Sequence, residues 1–81
     1  MVRVLLFGRL RDLAGWHERA FDPDPPRLSA LKALIRAQDE ALAEAIDCPG
    51  VQAAVDKTVT RGDPVLGASA EVAFLPPMSG G

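Results

Sequence analysis

Hydrophobic and polar residues alternate in two short segments, one at each end of the chain, as is typical of β-strands. Residues 2–7 read Val-Arg-Val-Leu-Leu-Phe, and residues 70–75 read Ala-Glu-Val-Ala-Phe-Leu. Because neighbouring side chains of a strand point to opposite faces, each segment places apolar residues on both of its faces. One face is expected to pack on a helix. The other face, which carries Phe7 and Leu75, is too apolar for ordinary exposure to water, so we place both strands centrally in a sheet.

The pattern changes to a helical period after residue 27. Apolar residues then recur at the spacing of one helix face: Leu28, Leu31, Ile35, Leu42 and Ile46. We therefore expect one main amphipathic helix, kinked or broken near Gln38-Asp39-Glu40. Arg27 stands where a capping side chain is preferred, so Ser29 is the alternative cap for the start of this helix.

Shorter segments complete the predicted topology. Residues 8–15 have the apolar spacing of a short helix that Gly15 closes, and residues 16–21 can form a second strand. Residues 51–59 alternate weakly and are interpreted as a strand, and a further short strand is expected between it and the last strand. Residues 62–64, Gly-Asp-Pro, are interpreted as a turn.

The order of these elements predicts an α+β protein. The two terminal strands lie side by side and have a helix between them in the chain, so they are expected to run parallel. This is the β-grasp, or ubiquitin-like, arrangement, in which a mixed sheet packs on one main helix. We expect residues 1–75 to form this domain and residues 76–81 to form a flexible C-terminal tail.

Composition narrows the classes of function. The 81 residues are 48% hydrophobic and 25% charged, as in one small folded domain. A net charge of -2 argues against nucleic acid as a partner, because phosphate binding needs a basic surface. The apolar run at residues 4–7 is too short to cross a membrane and no signal peptide is visible, so no membrane partner and a cytoplasmic location are expected.

Few side chains offer reactive chemistry. The single histidine, His17, is interpreted as a surface or turn residue, and the single cysteine, Cys48, as a half-buried bystander thiol. One Cys and one His exclude an intrachain disulfide and a Cys-rich or His-rich metal site. Four cations are candidates for a basic patch near one end, which would serve solubility or an acidic partner: Arg9, Arg11, Lys57 and Arg61.

The last six residues, Pro-Pro-Met-Ser-Gly-Gly, differ from the rest of the chain. Pro76 and Pro77 lack the N–H that strand pairing needs and favour an extended form, whereas Gly80 and Gly81 have no side chains. Such a segment reaches about 20 Å and fits a narrow channel in another protein. Its reactive group would be the α-carboxylate of Gly81, which is anionic at neutral pH and must be activated, most simply as an acyl-adenylate. The domain would then be a carrier whose catalytic groups are supplied by partners.

With these residues identified, the whole chain resembles the small subunit of molybdopterin synthase, the sulfur carrier of molybdenum cofactor synthesis. Four motifs carry the resemblance: Val4-Leu5-Leu6-Phe7, Arg11-Asp12-Leu13 with Gly15, Ala53-Ala54-Val55-Asp56, and the ending Glu71-Val72-Ala73-Phe74-Leu75-Pro76-Pro77-Met78-Ser79-Gly80-Gly81. The long ending is specific to this family. The Gly-Gly pair alone is shared with ubiquitin-like modifiers and the thiamine sulfur carrier. Ala68-Ser69-Ala70 departs from the family's Asp-Gly-Asp, which affects the local turn and not the tail.

The resemblance implies a mechanism for the tail. An adenylating enzyme related to ubiquitin-activating enzymes would activate Gly81 with Mg-ATP, and a sulfur donor protein would convert it to a thiocarboxylate. The tail would then enter the large synthase subunit, in a heterotetramer, and give its sulfur to cyclic pyranopterin monophosphate to build the dithiolene of molybdopterin. This chain alone would be non-catalytic and would bind no cofactor of its own.

The resemblance also implies where partners bind. Phe7, Val59 and Leu75 match family positions whose apolar side chains form the docking face, with Arg11 as a further polar contact. Gly80 lets the backbone pass through the channel. The full set of expected partner-binding residues is Phe7, Arg11, Val59, Leu75, Pro76, Pro77, Met78, Ser79 and Gly80.

Three other functions stay open from the residues alone. The chain could carry sulfur for thiamine or cysteine synthesis, although the Pro-Pro element and the length argue against this. It could be a ubiquitin-like protein modifier that delivers Gly81 to a lysine amine. It could also be a plain interaction domain with an incidental tail, in which case Gly81 would undergo no ATP-dependent change.

Overall fold

The computed structural model describes residues 1–22 and 24–77. These residues form five strands and three helices, in the order β1 (Val2–Leu6), α1 (Gly8–Ala14), β2 (Glu18–Phe21), α2 (Leu28–Gln38), α3 (Glu40–Ile46), β3 (Gln52–Val55), β4 (Thr58–Thr60) and β5 (Glu71–Leu75). Within the described ranges, no helix is long and apolar enough to span a membrane.

The five strands form one mixed sheet in the order β2-β1-β5-β3-β4. The terminal strands β1 and β5 are neighbours and run parallel, whereas the other pairs are antiparallel. The predicted central and parallel placement of the two terminal strands is therefore confirmed. Parallel pairing puts the C-terminal ends of β1 and β5 at the same end of the sheet. The C-terminal tail begins at this end.

One face of the sheet forms the hydrophobic core. Val4, Leu6 and Phe74 on this face are at most 1% exposed, and they pack under Leu31 and Ile35 of α2 and their neighbours. Each buried side chain of this kind contributes about 1.5–3 kcal/mol through removal from water. The predicted alternation is confirmed here, since Val2, Val4 and Leu6 all point inward.

The helical region is broken at Asp39, as the polar interruption in the sequence predicted. Asp39 has an extended backbone, with φ -156° and ψ 94°, so α2 ends and α3 begins there. The Asp39 carboxylate accepts a hydrogen bond from the Leu42 backbone N–H at 3.1 Å. It thereby caps the new helix, which makes the break a stable feature and not a frayed end.

The start of α2 is capped by a residue from a distant loop, and the expectation that Ser29 is the cap is wrong. Arg27 occupies the N-cap position and makes no side-chain cap. Asp63 accepts hydrogen bonds from the Ser29 backbone N–H at 2.7 Å and from the Ser29 hydroxyl at 2.8 Å. These two bonds, the backbone one first, lower the pKa of Asp63 below its ordinary value. Ser29 is thus a donor to the cap.

Residues 52–60 form a hairpin, whereas the weak alternation of residues 51–59 suggested a single strand. Strands β3 and β4 are joined by Asp56 and Lys57, both of which have positive φ, 50° and 71°. A two-residue turn with positive φ at both positions usually contains glycine, which is absent here. The Asp56 N–H donates to the Glu71 carbonyl at 2.8 Å, and the Glu71 N–H donates to the Asp56 carboxylate at 3.0 Å. These two hydrogen bonds to Glu71 of β5 stabilise a turn that the local sequence does not predict.

Candidate docking face and C-terminal tail

The face of the sheet opposite the core carries a row of apolar residues that crosses four strands. In the strand register, Leu5 of β1 lies beside Ala73 of β5, Ala73 lies opposite Ala54 of β3, and Ala54 lies opposite Val59 of β4. Side chains directly opposite one another share a face, so these four residues are continuous. We call this side of the sheet the outer face.

The predicted docking residues Phe7, Val59 and Leu75 all belong to this outer face. Phe7 continues the extended path of β1, with φ -127° and ψ 156°, so it lies on the same side as Leu5. Leu75 lies next along β5, and Val59 is in the row described above. Phe7 is 38% exposed and Val59 is 51% exposed, whereas Leu75 is half-buried. The structure therefore brings together residues that lie up to 68 positions apart in the chain.

Phe7 is held in place by His17, which the sequence analysis identified only as a surface residue. The two rings meet edge to face, with centroids 5.3 Å apart and an interplanar angle of 83°. His17 Nδ1 lies 2.7 Å from the Leu6 carbonyl oxygen. A carbonyl only accepts, so Nδ1 carries the proton in this contact. His17 thus orients one of the exposed apolar side chains of the outer face.

The far end of the outer face, away from the tail, is charged. Arg3 pairs with Glu71 at 3.0 Å and with Glu18 at 3.4 Å across three neighbouring strands. These pairs are at least partly exposed, and each contributes little to stability. They limit the apolar part of the outer face on the side away from the tail.

Two expectations about charged and reactive side chains need correction. Arg9 and Arg11 on α1 and Arg61 after β4 lie at the tail end of the sheet, whereas Lys57 lies in the β3–β4 turn at the opposite end. The four cations therefore do not form one patch. Cys48 is exposed and not half-buried, with Sγ 3.5 Å from the Glu44 carbonyl oxygen.

Arg11 is exposed and available for the polar contact that the resemblance implies.

The described part of the tail begins directly after Leu75, the last residue of β5. Pro76 is half-buried beside Gly8, and Pro77 is exposed and lies beside Gly50. The other predicted tail residues lie outside the described residues: Met78, Ser79, Gly80 and Gly81. The boundary of the flexible segment therefore stays a prediction, as do the roles of these four residues.

Sequence reasoning missed three residues of the outer face as candidate contacts. Leu5 and Ala73 were placed on this side by alternation but were not considered for binding. Ala54 could not be placed, because its side depends on the register of β3 with β5 and β4. The only signal in the sequence was the apolar character of both faces of the terminal strands.

This architecture defines a ubiquitin-like β-grasp protein, with helices on one face of its sheet and an apolar row on the other. The ThiS family model matches residues 4–81, and the chain belongs to the ThiS family. The chain is 36% identical over 81 residues to the molybdopterin synthase sulfur carrier subunit of Escherichia coli (strain K12), covering 100% of both chains. This full-length homology confirms the resemblance stated from the sequence.

Solved structures support the fold. The small archaeal modifier protein 1 of Methanosarcina acetivorans aligns with a TM-score of 0.85 at 25% identity, covering 99% of this chain and 95% of that one. A putative molybdopterin converting factor subunit 1 from Pyrococcus furiosus aligns with a TM-score of 0.77 at 28% identity, covering 95% and 97%. The modifier protein 1 of Haloferax volcanii, with a TM-score of 0.78 at 23% identity over 99% and 98%, shows the shared fold alone. The predicted α+β β-grasp class is confirmed.

Proposed function

We propose that this chain is the sulfur carrier subunit of a molybdopterin synthase. The observation that carries the proposal is the full-length match to the Escherichia coli sulfur carrier subunit, which includes the C-terminal sequence of both chains. The apolar outer face at the base of the tail supports it. A carrier needs a docking surface close to its reactive end and needs no catalytic side chains of its own.

The chemistry of Gly81 follows from its carboxylate. A carboxylate oxygen attacks the α-phosphate of Mg-ATP in an adenylating enzyme related to ubiquitin-activating enzymes, and pyrophosphate leaves. Sulfur delivered at the sulfide level by a donor protein then displaces AMP, which leaves a thiocarboxylate. In the large synthase subunit, the thiocarboxylate sulfur bonds to a carbon of cyclic pyranopterin monophosphate and takes the place of an oxygen on that carbon. Water then cleaves the bond between the sulfur and the Gly81 carbonyl carbon, which leaves the sulfur on the pterin and restores the Gly81 carboxylate. Two such transfers complete the dithiolene.

The outer face is the proposed contact with the large subunit. Phe7, Val59 and Leu75 would bury there, and Arg11 would add a polar contact beside them. Pro76 and Pro77 would contact the partner at the mouth of its channel, and Met78, Ser79 and Gly80 would enter the channel. A stable complex of this kind buries about 1,600 Å² or more in total. Nucleic acid and membrane have no part in this proposal, and the expected location is the cytoplasm.

The first test is the intact mass after incubation with the adenylating enzyme, Mg-ATP and a sulfide source. We expect a gain that corresponds to replacement of one oxygen by sulfur, mapped to Gly81 by fragmentation. An unchanged mass, with an enzyme shown to be active on a known carrier, would refute the proposal.

Deletion of Gly81 separates the chemistry from the fold. We expect molybdopterin formation to be abolished, because the activated carboxylate is displaced by one residue from its place in the partner sites. The free energy of unfolding should change by less than about 0.5 kcal/mol, because terminal residues contribute little to stability. The two measurements are molybdopterin yield with the large subunit and urea unfolding. A deletion variant that remains active would contradict the assigned role.

A second candidate function is protein modification, which the similarity to the Methanosarcina acetivorans modifier protein favours. It needs the same adenylation but transfers Gly81 to a lysine amine. Isopeptide-linked adducts that carry the C-terminal peptide of this chain would support it. A carrier for thiamine or cysteine synthesis is distinguished by reconstitution with the acceptor enzyme of each pathway.

A further inference from the structure

Two glycines with positive φ lie against the two prolines at the base of the tail. Gly8 has φ +57°, and a Cβ added there would lie 2.9 Å from Pro76 Cγ. Gly50 has φ +92°, and a Cβ added there would lie 2.9 Å from Pro77 Cβ and 3.4 Å from Pro77 Cγ. We propose that Gly8 and Gly50 form a seat that positions Pro76 and Pro77 and thereby sets the direction in which the reactive tail leaves the domain.

The two contacts come from different parts of the fold. Gly8 begins α1 directly after Phe7, and Gly50 lies in the connection between α3 and β3. They touch successive residues of the chain, so the dipeptide is held at both of its residues. The last ladder partner before it is Leu75, which lies opposite Gln52. The seat therefore continues the positioning of the chain beyond the end of the sheet.

The chemistry of proline explains why ring packing matters for the orientation of Pro76 and Pro77. Pro76 and Pro77 have no N–H, so backbone hydrogen bonds of the sheet type cannot hold their nitrogens. Packing of their rings therefore orients them in place of N–H hydrogen bonds. The ring is rigid, so a Cβ at 2.9 Å cannot be relieved by a side-chain rotation, and the chain itself must shift.

The inference rests on the proposed function, because the tail must present Gly81 to an active site. The four residues after Pro77 span at most about 13 Å, so a change of direction at Pro77 displaces Gly81 by a comparable distance. A tail released from its seat samples more directions, and only a fraction of them suits entry into a partner. The apparent affinity falls by that fraction, whereas the chemical step is unaffected once the tail is bound. Gly8 and Gly50 are therefore positioning residues.

Two other glycines provide matched controls. Gly15 has φ +82° and Gly62 has φ +77°, and in both cases an added Cβ meets nothing within 4 Å. Alanine at these positions imposes the same kind of backbone strain without touching the tail. The difference between Gly8→Ala or Gly50→Ala and the two control variants isolates the contact with the prolines.

The experiment measures kcat and KM for adenylation of the full chain, by ATP–pyrophosphate exchange with the adenylating enzyme. For Gly8→Ala and Gly50→Ala we expect KM to rise by about fivefold or more, with kcat changed by less than about twofold. Gly15→Ala and Gly62→Ala should leave both parameters within about twofold of the wild-type values. Equal changes in KM for all four substitutions would contradict the proposed seat.

A double-mutant cycle tests the contact itself. Pro76→Ala removes Cγ, the atom nearest to the added Cβ of Gly8→Ala, and keeps its own Cβ, which lies at 3.9 Å. Pro76→Ala should raise KM by itself, because the ring no longer fits the seat. Gly8→Ala should then add little in the Pro76→Ala background, because the clash is gone. The same increment in both backgrounds would contradict the proposal.

A readout that does not depend on the enzyme separates this inference from the proposed function. In the wild-type protein, NMR should show nuclear Overhauser contacts from the Gly8 Hα to the Pro76 ring and from the Gly50 Hα to the Pro77 ring. Their absence would overturn the seat, whatever the enzyme does. If the contacts are present but the wild type is not adenylated, the seat stands and the proposed function fails. If Gly8→Ala does not fold, Gly50→Ala compared with its control Gly62→Ala provides the kinetic test.

Discussion

The two faces of the sheet are made from the same strands and are both apolar, yet only one of them is a core. On the inner face, Leu6 and Phe74 are at most 1% exposed under the helices. On the outer face, their immediate neighbours Leu5 and Leu75 are half-buried, and Val59 is exposed. What differs is the covering, since α2 and α3 pack on one side and no element of the described chain packs on the other.

This contrast shows that apolar alternation identifies surfaces that avoid water without saying what covers them. Isolated apolar side chains on a surface are ordinary, but a continuous row across four strands is not. The row crosses the middle of the sheet, Phe7 and Leu75 extend it toward the tail, and the Arg3 ion pairs occupy the far end. A covering partner placed over the row would therefore also meet the tail.

The largest expected effect is on stability and is confined to the inner face. Phe74→Ala should lower the free energy of unfolding by about 3–5 kcal/mol, because it removes a fully buried ring and leaves a cavity. Leu75→Ala, one residue further along the same strand, should cost about 1 kcal/mol or less, because Leu75 keeps contact with water. Urea unfolding followed by circular dichroism measures both. Similar losses for the two variants would show that the outer face is not free in the isolated chain.

The next effect is on binding and is confined to the outer face. Val59→Lys should raise the Kd for the large synthase subunit by about tenfold or more, equivalent to 1.4 kcal/mol, because a charge would be buried in the contact. Its stability should change by less than about 0.5 kcal/mol, since Val59 is 51% exposed. Calorimetric titration of the large subunit measures the affinity.

Val65→Lys is the matched control for that substitution. Val65 is 67% exposed and pairs with Arg27 in an isolated β-bridge outside the sheet. A lysine at this position therefore adds the same charge away from the outer face. We expect its affinity to stay close to that of the wild type. An unchanged Kd for Val59→Lys, or an equal loss for both variants, would mean that the docking face lies elsewhere.

The smallest effect concerns the helix that covers the inner face. The pKa of Asp63 is lowered in the folded protein by its hydrogen bonds from Ser29. Its contribution is therefore present above the unfolded pKa of about 3.9 and is lost as pH falls through the lower folded value. Asp63→Asn should reduce stability at neutral pH and make the decline at acid pH shallower. Urea unfolding across this pH range is the measurement.

Ser29→Ala provides a graded comparison for Asp63→Asn. It removes the hydroxyl donor at 2.8 Å but keeps the backbone N–H donor at 2.7 Å. Its effect should therefore be smaller than that of Asp63→Asn. An acid decline in Asp63→Asn as steep as in the wild type would assign the pH dependence to other carboxylates.

Much of the fold could be predicted because it depends on local pattern. Alternation in residues 2–7 and 70–75 identified the two central strands, and the polar residues near Asp39 identified the helix break. The face of Phe7 and Leu75 followed from the same alternation. The hairpin at residues 51–59 was missed because the Asp56-Lys57 turn lacks the glycine that normally marks such turns, and its support comes from Glu71.

The sequence by itself determined which residues avoid water and where the helix breaks, because each of these depends on neighbours within a few positions. Only the tertiary structure decided that Asp63 caps the helix at Ser29, 34 positions away. It alone placed Ala54 between Ala73 and Val59, and Gly8 and Gly50 against Pro76 and Pro77. These contacts join residues far apart in the chain, and no local propensity encodes the register that brings them together.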